Sequence, residues 1–261
     1  MIKVAVAGAA GRMGKLIVQN VVGDAETQLV QAFDLHETGK DAGEVAGTGK
    51  VYVEISHASE MKDKLNADVL IDFTNANAAI ENIKTAAEKG IALIVGTTGF
   101  TEEQKKEIDR YCRNVPAVVS PNFSIGVNVF WKVIEFATGY LAGYDIEILE
   151  KHHKFKKDAP SGTAIRAAEV ALNVLKEKGI NKKIVYERSG ERKEDEISVL
   201  AIRGGDIVGE HTVYYIGMGE RIEISHFASS RQAFAGGAIL ATKWIVDKEP
   251  GLYTMSDVLG L

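Results

Sequence analysis

A single cysteine, Cys112, among 261 residues leaves no intrachain disulfide and no cysteine-rich zinc site to build, which is the usage of a chain that works in a reducing compartment. Alone, it reads as a small buried hydrophobe. Proline is scarce, with four residues, while glycine is plentiful, with 26, and nothing in the composition reads as disorder. An excess of positive charge is also missing. Thirty-one Lys and Arg stand against 36 Asp and Glu, so no broad basic face exists for nucleic acid or anionic lipid, and any anion site must be local. Long apolar runs are absent too. The longest uncharged run, residues 114 to 131, is interrupted by Pro116, Pro121, Asn122, Ser124 and Asn128, which makes a poor membrane span. The start, MIKVAVAG, is too short and too strand-like for a signal peptide. These absences predict a soluble cytoplasmic protein with neither a nucleic-acid nor a membrane partner.

What is present is organised. The chain is long enough for one large domain or two ordinary ones. Short Val- and Ile-rich runs (IKVAVA, LVQAFD, VLIDF, ALIVGTT, AVVSPNF) alternate with helical patterns such as AAIENIKTAAEK and EEQKKEIDRYCR. That alternation predicts a Rossmann-type, doubly wound α/β domain on a parallel sheet covered on both faces. After residue 123 the pattern changes. IGVNVFWKVIEFATGYLAG reads as a long helix, DIEILEKHH as a strand, and residues 162 to 178 as another helix. Strand candidates follow in KKIVYERS, EISVLAIR, DIVGEHTVYYIG and ERIEISHF, with RGGD and GMGE as glycine turns expected to close antiparallel hairpins. The expectation is a second α+β domain on an open mixed or antiparallel sheet. The boundaries read as 1–123 plus 235–261 for a dinucleotide-binding domain and 124–234 for a substrate-binding and oligomerisation domain.

Directly after the first strand comes GAAGRMG, which places Gly8, Gly11 and Gly14 at a strand-to-helix turn. Glycines there permit a tight turn, close backbone approach to a pyrophosphate and close helix packing, while the helix start supplies N–H donors. The spacing is G-x-x-G-x-x-G, with Ala10 where the commoner fingerprint has its middle glycine. Asp34 closes the second strand twenty residues beyond Gly14, where an acid can bind adenosine ribose hydroxyls. A carboxylate there repels a 2′-phosphate, and Leu35 offers no cation to neutralise one, so NADH is expected to be favoured over NADPH; Arg12, beside the loop, works against that bias. Two further loops, Gly96 to Phe100 and Ser120 to Ser124, follow predicted parallel strands at the ends where ligands bind.

The densest chemistry is EKHHKFKKDAPSGT, residues 150 to 163. His152 and His153 end a predicted strand, where successive side chains point to opposite faces and are badly placed to share one metal, so no metal site is expected. KFKK could be a solvated run. The segment after it argues for more: Ser161 is a possible N-cap, and the amides near Gly162 and Thr163 would be donors at a positive helix end. Faced by Lys154, Lys156 or Lys157 and an imidazole, that end makes an anion pocket able to hold two carboxylates, with a histidine as candidate general acid.

EKHHKFKKDAPSGTA resembles the signature of the dihydrodipicolinate reductase family. VAVAGAAGRMG, DVLIDFT, VGTTGF, NFSIGVNV, GDIVGEHTV, ERIEISHFASSR and the tail MSDVLGL are similar to that family in order and spacing, over nearly the whole chain. The resemblance implies His152 as proton donor and Lys156 as catalytic and substrate-binding. It implies His153, Gly162 and Thr163 as further ligands of a cyclic dicarboxylate substrate. Cofactor contacts would fall on Gly8, Ala9, Ala10, Gly11, Arg12, Met13, Asp34, Gly96, Thr97, Thr98, Ser120, Pro121, Asn122 and Phe123. The implied reaction is NADH- or NADPH-dependent reduction to tetrahydrodipicolinate on the route to diaminopimelate and lysine, in a homotetramer joined through the second-domain sheets. Two other readings stand beside it. One is a different two-domain NAD-dependent dehydrogenase, which would usually want a nucleophilic cysteine; the other is an NAD-binding redox sensor, which would be expected to carry a recognition module that the chain does not show.

Overall fold

The computed structural model describes residues 1–261, and the chain divides into two compact units, Met1–Ile125 with Gln232–Leu261 and Gly126–Arg231. The strands of the first unit are β1 (Ile2–Ala7), β2 (Thr27–Asp34), β3 (Ile55–His57), β4 (Val69–Asp72), β5 (Ala92–Val95) and β6 (Pro116–Val119), joined late in the chain by β12 (Gly251–Tyr253). They form one sheet in the order β12-β6-β5-β4-β1-β2-β3, parallel throughout. Period-two alternation explains why both faces are covered. Val4, Val6, Ile71 and Ile94 pack into one buried cluster, while Ala5, Ala7, Leu70, Leu93 and Val95 pack into another. The first cluster is closed by α1 (Arg12–Gly23), through Ile17, Val18 and Val21, and by α8 (Gln232–Ile245), through Ala238 and Ile245. The second is closed by α4 (Ala76–Glu88) and α5 (Glu102–Tyr111), through Ile83 and Ile108. Each buried Val, Leu or Ile among them contributes roughly 1.5–3 kcal/mol. Short helices α2 (Ala42–Ala46), α3 (Met61–Lys64) and α9 (Met255–Leu259) complete the unit.

In the second unit, α6 (Ile125–Tyr140, nearly all of it in this unit) and α7 (Gly162–Glu177) cover one face of a five-stranded sheet. Its strands are β7 (Asp145–His152), β8 (Lys183–Val185), β9 (Glu196–Arg203), β10 (Gly209–Ile216) and β11 (Arg221–Ala228), in the order β11-β10-β7-β9-β8. The sheet is mixed: β7, β9 and β8 run parallel, and β10 is antiparallel to both its neighbours. Ile146 and Ile148 on β7 meet Phe130 and Ile134 of α6 and Ala164, Ala168 and Ala171 of α7, the alanines letting the helix lie close. On the opposite face Leu200, Ile202 and Phe227 are exposed.

One expected turn is different. GMGE does close the β10–β11 hairpin, but RGGD does not join paired strands, because β7 lies between β9 and β10. The segment instead wraps the end of β7: the Gly204 amide donates to the His152 carbonyl at 3.0 Å, and the Gly205 carbonyl accepts from the Lys154 amide at 3.2 Å. A glycine turn carries local conformation but not partner choice, and β7 already satisfies the edges that a hairpin would have used. No helix is long and apolar enough to cross a membrane.

Close packing, more than backbone freedom, fixes two glycines. A Cβ on Gly14 would collide with the Gly8 carbonyl, and one on Gly237 with the Phe123 carbonyl, whereas one on Gly23 would meet nothing. Gly14→Ala and Gly237→Ala should therefore each cost about 2–3 kcal/mol as overpacking against backbone, with Gly23→Ala neutral or slightly stabilising. Urea midpoints of the three variants check this; equal midpoints would show that the backbone yields freely at those contacts.

Candidate active site

In an open parallel sheet, ligands bind beyond the carboxyl ends of the strands where the order reverses. Here that point lies between β1 and β4. Gly8 to Met13 follow β1, Asp34 ends β2, Asp72 ends β4, Gly96 to Thr98 follow β5, and Ser120 to Phe123 follow β6, so one edge of the first unit gathers every proposed cofactor residue. Gly8 sits at φ +79°, and its amide and that of Ala9 donate to the Phe33 carbonyl at 2.8 and 3.2 Å. Asp34 is tethered to the same loop: one oxygen accepts the Ala10 amide at 2.9 Å and the other the His36 amide at 2.9 Å. The left-handed glycine, the close Gly14 contact and the adjacent acid fit an adenine dinucleotide. Leu35, next to the acid, is exposed.

Asp72 is the residue that sequence reasoning passed over in this unit. Fully buried, it accepts from Thr74 Oγ1 at 2.8 Å, Thr97 Oγ1 at 2.7 Å and Asn82 Nδ2 at 2.7 Å. Burial pushes its carboxyl upward, against the pull of those hydrogen bonds. Thr97 in turn accepts the Thr74 amide at 2.9 Å, so the carboxyl ties together the loops after β4 and β5. In the loop after β6, Ser120 Oγ donates to the Asn122 carbonyl at 2.9 Å and Asn122 Oδ1 accepts the Ser124 amide at 2.9 Å, while Phe123 is buried.

The second unit gathers its chemistry at the end of β7. Alternation along the strand turns Glu150 and His152 to the same, buried side. Glu150 accepts four hydrogen bonds: His152 Nδ1 at 2.7 Å and Arg203 Nη1 at 2.7 Å on one oxygen, Arg203 Nη2 at 2.6 Å and the Ser161 amide at 2.9 Å on the other. Burial alone would raise this carboxyl, but the bonds from His152 and Arg203, the His152 charge and the Ser161 amide prevail and hold it at about 2. Arg203 reaches this place because His152 and Arg203 are register partners on parallel β7 and β9. It also donates to the Asp158 carbonyl at 2.6 Å.

Ser161 is the N-cap of α7, accepting the Ala164 amide, and so sets Gly162 and Thr163 at the first helical positions, whose amides lack intrahelical acceptors. Ser161 Oγ also lies 2.9 Å from His211 Nε2. His211 pairs with Glu150 across β7 and β10 and with His226 across β11, and its ring stands 5.2 Å from that of His152. Burial pushes His211 down to about 3, with the charge of His152 adding to the effect and that of Glu150 opposing it. His153 lies past the strand end with its ring 6.3 Å from Phe155. Lys156 Nζ pairs with Asp158 at 2.8 Å, and Lys154 lies over the Phe155 ring. No group of three or more His, Cys, Asp or Glu is arranged to hold a metal. Cys112 is buried, and burial pushes its thiol up to about 12, which leaves no thiolate to act as nucleophile.

Glu150 stood in the quoted motif, and the two-residue spacing to His152 was its signal. His211 stood in GDIVGEHTV and Arg203 in RGGD, but neither stretch showed that strand pairing brings them to β7.

The comparisons agree on one family. Residues 2–123 match the family model "Dihydrodipicolinate reductase, N-terminus" and residues 126–259 match "Dihydrodipicolinate reductase, C-terminus". The chain is 54% identical over 260 residues to the 4-hydroxy-tetrahydrodipicolinate reductase of Archaeoglobus fulgidus, covering 98% of this chain and 99% of that one. It is 52% identical over 272 residues to the protein of the same name from Methanocaldococcus jannaschii, covering 100% and 98%. Among solved structures, a dipicolinate-bound dihydrodipicolinate reductase from Paenisporosarcina sp. TG-14 is similar with TM-score 0.77 and 26% identity, over 97% of each chain.

The buried groups set a pH dependence of stability. His211, at about 3 in the fold against an ordinary 6.5, binds more protons unfolded, so its contribution is complete above pH 6.5 and is lost as pH falls toward 3. Glu150, at about 2 against 4.5, contributes above pH 4.5, roughly 3 kcal/mol, and loses it as pH falls toward 2. The urea midpoint of the wild-type chain should thus decline already below pH 6.5, and His211→Asn should flatten the decline between pH 6.5 and 4.5. An unchanged slope in that variant would show that the imidazole is not held neutral by the fold.

Proposed function

The chain belongs to the dihydrodipicolinate reductase family, whose members are oxidoreductases served by NAD(P)H, and we propose that it reduces 4-hydroxy-tetrahydrodipicolinate, through its dehydrated form, to tetrahydrodipicolinate on the route to diaminopimelate and lysine. The observation that carries the reading is the joint anchoring of His152 and the α7 start on one buried carboxylate, Glu150, in a chain that matches the family over both halves.

The first unit is the cofactor-binding part. Gly8, Ala9, Ala10, Gly11, Arg12 and Met13 would meet the pyrophosphate, and Asp34 the adenosine ribose. Gly96, Thr97 and Thr98, with Ser120, Pro121, Asn122 and Phe123, would meet the nicotinamide half. With Asp34 fixed by two amides and Leu35 uncharged beside it, a 2′-phosphate meets repulsion that Arg12, beside the loop, only partly offsets, which favours NADH. When bound, NAD(P)H supplies a hydride to C4 of the ring.

The second unit holds the substrate. Gly162, Thr163 and His153 bind the ring carboxylates, and Lys156 adds a cation that orients them and favours the developing charge. His152 gives a proton to C3, where the electron pair released by hydride addition has gathered, and the C=N bond re-forms. Hydride and proton together make the two-electron reduction balance. The exposed apolar residues Leu200, Ile202 and Phe227 on the uncovered sheet face support a homotetramer joined through these sheets, and the single buried cysteine supports a cytoplasmic setting.

Purified protein should oxidise NADH rapidly only when the substrate is generated fresh in the assay, and NADPH less well. No oxidation with either nucleotide, despite nucleotide binding, would instead support a sensor or another dehydrogenase. His152→Gln should lower kcat about 10²-fold or more with nucleotide affinity unchanged, and Lys156→Ala should lower kcat and raise the substrate KM together. Full activity in His152→Gln would remove it as proton donor. Leu35→Arg should improve NADPH use several-fold; no gain would place the cofactor bias elsewhere.

A further inference from the structure

A histidine offers two nitrogens, and a proton donor works only if the proton sits on the one that faces the acceptor. In the ion pair with Arg203 the Glu150 carboxylate can only accept, so the 2.7 Å contact to His152 Nδ1 requires a hydrogen on Nδ1. That hydrogen is held in a buried bond and is not free to leave. The remaining nitrogen, Nε2, points to Gly209, the first residue of β10: a Cβ there would lie 3.0 Å from Nε2 and 3.4 Å from Cδ2. Gly209 is not in the left-handed region, so its backbone does not demand glycine. The space beside the ring does.

We propose that Glu150 and Gly209 are positioning residues that select Nε2 of His152 as the atom delivering the proton, Glu150 by retaining the Nδ1 hydrogen and Gly209 by leaving the Nε2 end uncovered. This rests on His152 being the proton donor. In the step, the Nε2–H bond breaks with its electron pair left on Nε2, a C3–H bond forms, and the imidazolium becomes the neutral ring protonated at Nδ1. Reprotonation at Nε2 from water restores it without disturbing the Glu150 bond. The charged and titratable groups around the ring are Glu150 on its own strand, Arg203 on β9, His211 on β10 with His226 beyond it on β11, and Lys156 paired with Asp158 in the following loop. Of these only Glu150 is hydrogen-bonded to the ring.

The direct test uses the wild-type chain labelled with 15N-histidine. Long-range proton–nitrogen NMR correlations distinguish the two neutral tautomers among the six histidines, and the His152 signals are those missing from His152→Gln. In spectra taken at a pH where the His152 ring is neutral, its hydrogen is expected on Nδ1; a neutral ring with its hydrogen on Nε2 would overturn the proposal. In kinetics, Glu150→Asp keeps the charge for Arg203 but withdraws it from the ring, and Gly209→Ala crowds Nε2. Both should lower kcat about ten-fold or more with the KM for NADH within twofold. Wild-type kcat in both variants would likewise overturn it. Failure of the underlying proton-donor assignment looks different, because His152→Gln would then stay active.

Discussion

Glu150 carries a negative charge with no surface in water, and a carboxylate so placed is tolerated only when charge and hydrogen bonds replace the water it has lost. All four of its acceptor positions are used: twice by the planar fork of Arg203, once by His152 and once by the Ser161 amide. Arg203 is suited to this role where a lysine would not be, because a guanidinium meets both oxygens at once and remains charged. The consequence reaches beyond stability. One rigid group fixes the end of β7, the start of α7 and, through the Asp158 carbonyl, the loop between them, so the elements of the candidate substrate site cannot shift independently.

The first unit repeats the device with a different balance. Asp72 is equally buried, but its donors are hydroxyls and an amide, with no cation, so burial keeps its carboxyl raised, whereas the Arg203 and His152 bonds hold Glu150 low. The two carboxyls therefore differ in kind. Asp72 is a polar hub tying the loops after β4 and β5, while Glu150 is a charged hub that also polarises a titratable ring.

How far the sequence could be read follows from the range over which each signal acts. The parallel sheet was legible because alternation is local: Val4 and Val6 against Ala5 and Ala7 already show two covered faces. The glycine loop, Asp34 and the Ser161 cap were legible for the same reason. The fold class follows from those stretches, and the family from the resemblance of EKHHKFKKDAPSGTA and the motifs around it. What could not be read was partner choice between strands. RGGD has the chemistry of a hairpin turn, yet β7 separates β9 from β10, and that insertion is also what sets Arg203 beside His152 and His211 beside Glu150. The misread turn and the unread placement of Arg203 and His211 share one cause: a local stretch does not show which segment it will pair with, as across the 53 residues that separate Glu150 from Arg203.

The adjacent histidines show how that arrangement divides labour. His152 faces inward and joins the carboxylate, while His153, one residue on, has left the strand and stacks near exposed Phe155. In the proposed roles, the proton donor has the fixed position and the carboxylate ligand the accessible one. Lys156 fits the same division. Its ammonium is already paired with Asp158 at 2.8 Å, and Asp158 is mostly exposed. In the proposed reaction a dicarboxylate arriving at the α7 start takes the lysine from Asp158 by exchanging one carboxylate for another. Asp158 returns to water, no cation is left uncovered, and the charge that orients the ring is present before the ring arrives.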